Sequence, residues 1–495
     1  MLSNKNLNRR VASAISKSKK ESKVKITVVG QSGKEVTGSS YLVECPTGEK
    51  ILLDSGMYQS HNKYESYKIN NKKLKYDVKD LTFIAISHLN GDHLFLNPLL
   101  YKKGATCNTY MYYKNLEFVK PMLEDCVKIM EREAIGFTKK LGFEHQPIYT
   151  NCDVENALSH LRGVEANEII EITENVSLQF IPAGHIYGSC QIVLYIKKPS
   201  GNIVKIGYTG DIGNIIFEQP FVEDFEKIVK CNFLIGEVTY SQIEKSAKKD
   251  QRPVDLEKLE NVIRQTCIDN KGMVLIPCFA LQRMETMLYT IWKIFKDDES
   301  FDIPIVVDSP LAVKIIDCFQ QNLEGKDKEL FEKILSWKNL KIIRTIEESK
   351  SCVEDNRPKC NLSSSGMLTQ GRSILYLKKI LPKSNSAIIT CGFMAEGSLG
   401  DKIKNNPERK TITVDGKAYP NKCNIYSLKT FSSHMQYDEL MNYYLNLANN
   451  GCETIWLVHG DEHKLEFKKE LEKRITKIGK TTKVVATNLD TTARI

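Results

Sequence analysis

The chain has 495 residues, 41% of them apolar and 26% charged, a composition that excludes disorder as the main state. One compact core rarely grows past roughly 250–300 residues, so two domains, or one split by another, are expected. Seventy basic against sixty-one acidic side chains leave a net charge of +9, too small an excess for this length to demand a polyanionic partner.

Residues 1–23 are polar and basic, with no secretory signal. They read as a loose tail, with a nucleic-acid contact as the sharper alternative. Residues 24–56 then read as three short strands, Val24 to Val29, Ser40 to Cys45 and Lys50 to Asp54, separated by Gly- and Pro-containing turns. Residues 57–80 are polar and loop-like. Phe83 to Ser87 is a buried strand ending at His88. Apolar positions at Leu116, Val119, Leu123, Val127 and Met130 give helical spacing within 111–141. Strands resume at 169–181, 190–197, 204–210 and 234–237.

From about 255 to 385 strands alternate with helices, as in Met273 to Pro277 before a helix at 280–296 and Ile305 to Asp308 before one at 310–322. That is the pattern of an α/β layer around a central sheet. Residues 425–495 return to the first style, with Ile455 to Val458 ending at His459. The longest apolar runs are far too short to span a bilayer. Fourteen cysteines without a CxxC pair read as reduced thiols of a cytoplasmic protein, not as a disulfide frame or a zinc ribbon.

The nine histidines carry more information. Ser87-His88-Leu89-Asn90-Gly91-Asp92-His93 follows directly on a buried strand, so its His and Asp side chains sit on a loop where they can converge on a metal. Taken alone, this is a moderately specific signal, and a polar loop explains it about as well. Gly184-His185, Gly210-Asp211 and His459-Gly460 each add one metal-capable side chain at a strand end next to a glycine, which permits a tight turn. Four such coincidences in one chain are hard to obtain by chance.

The order and local text of these segments resemble the metallo-β-lactamase fold. Gly236-Glu237-Val-Thr-Tyr240, Phe431-Ser-Ser-His434, Asp308-Ser-Pro-Leu-Ala312, Ser363 to Arg372 and Gly392 to Gly400 further resemble the β-CASP ribonucleases, including those that cleave pre-mRNA 3′ ends. The resemblance runs over roughly residues 24–495. It implies an α/β architecture, a metallo-β-lactamase αββα sandwich interrupted by an inserted α/β β-CASP domain. The implied boundaries are a tail at 1–23, the first part of the sandwich at 24–240, the insertion at 241–430 and the second part of the sandwich at 431–495.

The function implied is hydrolysis of RNA phosphodiester bonds, endonucleolytic in kind, by a two-metal hydroxide mechanism. Zn²⁺ is the implied ion at two sites, with Mn²⁺ as the alternative. Single-stranded RNA is the implied partner, a homodimer is left open, and no membrane is involved. Carried over motif by motif, His88, position 90 and His185 hold one ion. Asp92, His93 and His459 hold the other, and Asp211 bridges. Asp54 supports the metal loop. Asp92, Glu237 and His434 are the implied catalytic groups, with Glu237 orienting His434 as proton donor; a purely structural His–Glu hydrogen bond is the plainer alternative. A His in the third insertion motif, here His459, goes with RNA in the family. Ser364, Ser365 and Arg372 are candidates for contacting a substrate phosphate, although a packing turn explains that stretch about as well.

One departure stands out. The family's second His is Asn90 here, and a neutral amide is a poor zinc donor beside imidazole. Three readings remain open: an introduced substitution that silences the enzyme, a lineage with a weakened or single first site, and a non-catalytic RNA-binding pseudo-nuclease. Gly91 replaces a usual apolar residue, and Tyr58 stands where many relatives carry His. His61 and His463 read as surface histidines.

Overall fold

A computed structural model of the chain describes residues 23–392, 394 and 397–495. Nearly all of the basic tail therefore lies outside the described residues, as do Phe393, Ala395 and Glu396 of the last Gly-rich motif. The chain divides into two units. One comprises Met1–Gly213, Glu223–Lys245 and His434–Ile495; the other comprises Asn214–Val222 and Ser246–Ser433.

The first unit contains two seven-stranded sheets. In spatial order, the first runs Thr492–Arg494, Lys25–Val28, Tyr41–Glu44, Lys50–Leu53, Phe83–Ala85, Asn108–Tyr112 and Leu161–Val164. The second runs Lys483–Ala486, Thr454–Val458, Phe233–Glu237, Ile203–Tyr208, Cys190–Lys197, Val176–Pro182 and Ile169–Thr173. Ile26, Val28, Tyr41 and Val43 of one sheet share a buried cluster with Phe180, Ile192, Phe233 and Trp456 of the other, so the sheets pack face to face. The Trp456 and Phe233 rings meet edge to face at 5.0 Å. Burying one such ring contributes on the order of 2–3 kcal/mol.

Burial patterns follow from this layering. Lys25–Val28 alternates half-buried and buried, as expected of a strand covered on one face. Phe233–Glu237 is buried at every position, because the helices Tyr437–Asn449 and Lys464–Lys477 cover the outer face of its sheet through Leu440, Tyr444, Phe467 and Leu471. The strands Phe83–Ala85, Phe233–Glu237 and Thr454–Val458 all deliver their C-terminal ends to one region, where the histidines gather.

The helical spacing read from the sequence corresponds to Leu116–Leu141, which stops at Gly142 with φ +78°, a left-handed C-terminal cap. The loop expected at 57–80 is corrected by a helix at Lys63–Asn70. Its apolar residues, Tyr64, Tyr67 and Ile69, give a single i,i+3 pair and no continuing stripe, so periodicity misses it. The local signal is at Asn62, whose side chain accepts the Glu65 N–H at 3.1 Å.

The second unit is built on a six-stranded sheet whose neighbours all pair in parallel, in the order Leu340–Ile342, Ile305–Val307, Lys359–Ser363, Met273–Pro277, Ala387–Cys391 and Asn424–Leu428. Helices Arg283–Phe295 and Pro310–Asn322 follow two of these strands, as the alternation suggests. Among the described residues no helix is long and apolar enough to cross a membrane.

Candidate metal centre

Asp54 organises the site from beneath. It ends the strand Lys50–Leu53 at φ +57°, fully buried. Its Oδ1 accepts the Ser87 N–H at 2.7 Å. Its Oδ2 accepts Ser87 Oγ at 2.7 Å, Tyr208 OH at 2.6 Å and His93 Nδ1 at 2.6 Å. A carboxylate can only accept, so His93 carries its proton on Nδ1 and turns Nε2 outward. Ser87 has one proton, and it goes to Asp54. The 3.0 Å contact between Ser87 Oγ and His88 Nδ1 is therefore donated by the imidazole. His88 Nε2 is left with a lone pair and no hydrogen-bond partner, buried, 3.6 Å from Asp211 Oδ2. An orphaned imidazole nitrogen facing a carboxylate is what a divalent cation needs.

Donor atoms gather in three sets, each within 4.8 Å: His88, His185 and Asp211; Asp92, His93 and His459; and Asp211, Glu237 and His434. His93 Nε2 lies 3.3 Å from Asp211 Oδ1 and 3.9 Å from Asp92 Oδ2. His459 Nε2 lies 3.2 Å from Asp92 Oδ2, and its Nδ1 lies 3.5 Å from Asp211 Oδ1. Asp211 thus touches both of the first two sets. His185 Nε2 is 3.7 Å from Asp211 Oδ2 and 3.4 Å from the Asn90 amide. Asn90 occupies the N-cap position of the turn Gly91–Leu94 but does not cap it; its side chain faces His185 instead. Ser189 Oγ fixes the His185 loop by accepting the His185 N–H at 2.9 Å.

The electrostatics fit a cation. Burial disfavours charge on His88, and the neighbouring His93 adds to it, so His88 is held well below the ordinary histidine range. Burial acts on His93 too, but the Asp211 and Asp92 carboxylates outweigh it and hold His93 well above that range. Burial would raise Asp211; His459 and His93 pull it well below the usual carboxylate range instead. The proton on His93 Nε2 occupies a place between carboxylates that a divalent ion would take, with release of that proton.

Glu237 and His434 form the neighbouring pair. Glu237 is fully buried at its strand end. Its Oε2 accepts the Thr239 N–H at 2.8 Å, and its Oε1 accepts the Ile212 N–H at 3.2 Å and faces His434 Nδ1 at 3.2 Å. Burial opposes a charge on His434, but Glu237 prevails and raises its pKa. The His434 ring lies 4.4 Å from that of His185.

Ser364, Ser365 and Arg372 belong to the second unit. Ser364 Oγ meets Ser309 Oγ at 2.5 Å, Ser365 Oγ meets Thr369 Oγ1 at 3.2 Å, and Arg372 pairs with the buried Asp308 at 3.1 Å. Arg372 is thus already held by a carboxylate. Sequence reasoning missed Tyr208 and Thr239, the latter 3.0 Å from His459 Nδ1. Both are neighbours of motif residues, Tyr208 just before Thr209-Gly210-Asp211 and Thr239 two residues after Glu237, but nothing in their own text marks them.

A histidine- and carboxylate-rich centre on a face-to-face sandwich is the donor arrangement of a metal site. Three family models match the chain: the metallo-beta-lactamase superfamily over residues 33–211, the Beta-Casp domain over 284–403, and the Zn-dependent metallo-hydrolase RNA specificity domain over 418–485. The matched domains are a metallo-β-lactamase domain and an inserted β-CASP domain, and that fold implies divalent metal binding. It is 28% identical over 438 residues to Ribonuclease TTHA0252 of Thermus thermophilus, covering 87% of this chain and 92% of the relative. It is 27% identical over 411 residues to Transcription termination factor FttA of Methanocaldococcus jannaschii, covering 79% and 61%. It is 26% identical over 436 residues to Endoribonuclease ysh1 of Schizosaccharomyces pombe, covering 87% and 53%. The chain thus spans less than two thirds of the latter two.

Proposed function

We propose that the chain is a metal-dependent ribonuclease that cuts single-stranded RNA internally, using two divalent ions, Zn²⁺ first and Mn²⁺ as the alternative. The supporting observation is the pair of donor sets that share Asp211, His88 with His185 and Asp92 with His93 and His459, beside a protonatable His434. The match to an RNA specificity domain and the names of the relatives support RNA as the substrate. A reducing, cytoplasmic setting belongs to the same reading, supported by fourteen free cysteines, most of them buried.

His88, His185, Asp92, His93, His459 and Asp211 would hold the ions, with Asn90 a weak donor at the first site. When bound, a pair of divalent ions acidifies a water and neutralises phosphate oxygens. Asp54 keeps His93 in the tautomer that offers Nε2. Asp92, half-buried at the rim, accepts a hydrogen bond from the attacking water and aligns it with the phosphorus. His434 gives its Nε2 proton to the departing ribose oxygen, while Glu237 receives the Nδ1–H and steadies the imidazolium. Asn90 weakens the first site by one imidazole.

The test is internal cleavage of end-labelled single-stranded RNA with Zn²⁺ or Mn²⁺, for this chain and for Asn90→His, alongside metal counting. Two ions per chain and faster cleavage are expected in Asn90→His. Bound metal without cleavage in either protein refutes the nuclease and leaves a non-catalytic RNA-binding subunit.

A further inference from the structure

A second feature of the first unit lies beside the metal loop and takes no part in it. His61, Asn62, Lys63 and Tyr64 face Phe137, Lys140 and Leu141 across a groove of about 490 Å³. The floor is aromatic. Tyr64 lies parallel to Tyr67 at 6.1 Å and 12°, and meets Phe137 at 5.1 Å and His145 at 5.6 Å, both edge-on. His145 donates Nδ1–H to the Phe143 carbonyl at 2.8 Å, so its Nε2 accepts the Tyr64 hydroxyl at 3.3 Å and fixes that ring. Beside the cluster Leu141 is 40% and Phe143 58% exposed, unusual for large apolar groups at one place.

The rim is cationic. Residues 61–75 carry five lysines and one glutamate, and 137–146 carry two lysines and one glutamate. Lys68 Nζ stands 5.3 Å above the Tyr64 ring. Lys63 is paired with Glu133 at 3.1 Å and Lys75 with Asp490. The lysines still outnumber these carboxylates, and aromatic faces interleaved with lysines suit a base stacked between flanking phosphates. The helix that carries the groove is tethered to the metal loop. Met57 N–H donates to Gly91 O at 2.9 Å, and Tyr58 and Asn70 exchange two hydrogen bonds of 2.9 Å that fasten the helix Lys63–Asn70 to that loop.

We propose that this groove is an auxiliary docking site for single-stranded RNA, holding one base against Tyr64 and the adjacent phosphate on Lys140. It rests on RNA being the substrate, but not on cleavage. The test is anisotropy of a labelled 20-nucleotide RNA with the full chain, without added metal, across a salt series. Tyr64→Ala should weaken binding about tenfold, within the range for one stacked base. Tyr64→Phe keeps the ring and should bind within about twofold of the parent. Lys140→Glu, at an exposed position that cannot upset folding, should weaken binding and lower the slope of log K against log salt by about 0.7 or more. Parental affinity and salt slope in both Tyr64→Ala and Lys140→Glu overturns the groove, while cleavage by the parent keeps the nuclease. Displacement by polyglutamate at concentrations where unlabelled RNA fails also overturns it, in favour of an acidic protein partner. Groove-dependent binding with no cleavage under any metal upholds the groove and sinks the nuclease.

Discussion

Replacing Asp54 by asparagine changes one atom and no volume, yet it should loosen the whole metal centre. Four donors converge on this carboxylate: Ser87 N–H on Oδ1, and Ser87 Oγ, Tyr208 OH and His93 Nδ1 on Oδ2. An amide offers one accepting atom. If its oxygen stays toward the three donors, the new NH₂ confronts the Ser87 N–H, leaving a buried donor unsatisfied at roughly 1–3 kcal/mol. If the amide turns over, its oxygen keeps the Ser87 N–H, but its two N–H groups face three partners and favour a His93 with an accepting Nδ1, the tautomer that puts the proton on Nε2. The remaining bonds also lose their charge, which further weakens the hold on the Nδ1–H tautomer of His93. Loss of such a supporting partner typically lowers metal affinity about 10–100-fold. Asp54→Asn is therefore expected to melt lower than the parent with chelator present, and to fall further behind it with Zn²⁺. Competition with a chromophoric chelator measures the affinity. Parental zinc affinity together with parental melting in chelator would refute the reasoning, since neither orientation of the amide keeps both the four bonds and the Nδ1–H tautomer of His93.

Glu285 in the second unit is buried without a hydrogen-bond partner in good geometry, and burial pushes its pKa to about 8. The folded state then keeps a proton that the unfolded state has released above about 4.5, so this group lowers stability as pH rises from there toward 8. Glu285→Gln should be neutral near pH 4.5 and gain up to roughly 3 kcal/mol at pH 7, read from urea midpoints; parallel pH profiles would count against it. A Cβ at Gly56 would fall 1.7 Å from the Asp92 carbonyl oxygen and 2.7 Å from Ser39 N. Gly56→Ala should therefore cost about 3 kcal/mol or more and abolish metal binding, checked by melting and metal content. His434→Gln should cut RNA cleavage about 10²–10⁴-fold with metal content unchanged. A loss of one ion instead would move His434 from proton donor to ligand, through the set it forms with Asp211 and Glu237.

The parts of the site that were legible in the sequence share one property. His88, Asp211, Glu237 and His459 each end or follow a short apolar strand, so strand text and site text sit side by side. The spacing of Gly184-His185 and Gly210-Asp211 could be read because a tight turn needs its glycine. Residues that act through a hydrogen bond alone left no such trace. Tyr208 looks like any buried strand tyrosine until its hydroxyl is found on Asp54, and Thr239 looks like any turn threonine. Asn90 was conspicuous only against the family pattern; its refusal to cap the turn it precedes, and its approach to His185, show only in the folded chain. The helix Lys63–Asn70 escaped because its stability comes from an Asn62 cap and from aromatic packing against Phe137 and His145, neither of which has a period.

The pairing of Phe233–Glu237 with Thr454–Val458 joins neighbours more than two hundred residues apart in the chain, and Lys25–Val28 completes its sheet with Thr492–Arg494 at the far end. Such non-local pairs form late. A ribosome releasing this chain has exposed His88, His93, His185 and Asp211 long before His434 and His459 appear. A half-made copy therefore has Asp92 and His93 but lacks His459 of the second donor set, and it lacks His434. The metal centre is therefore completed only when the last strands of the chain have been made, whatever has folded before them.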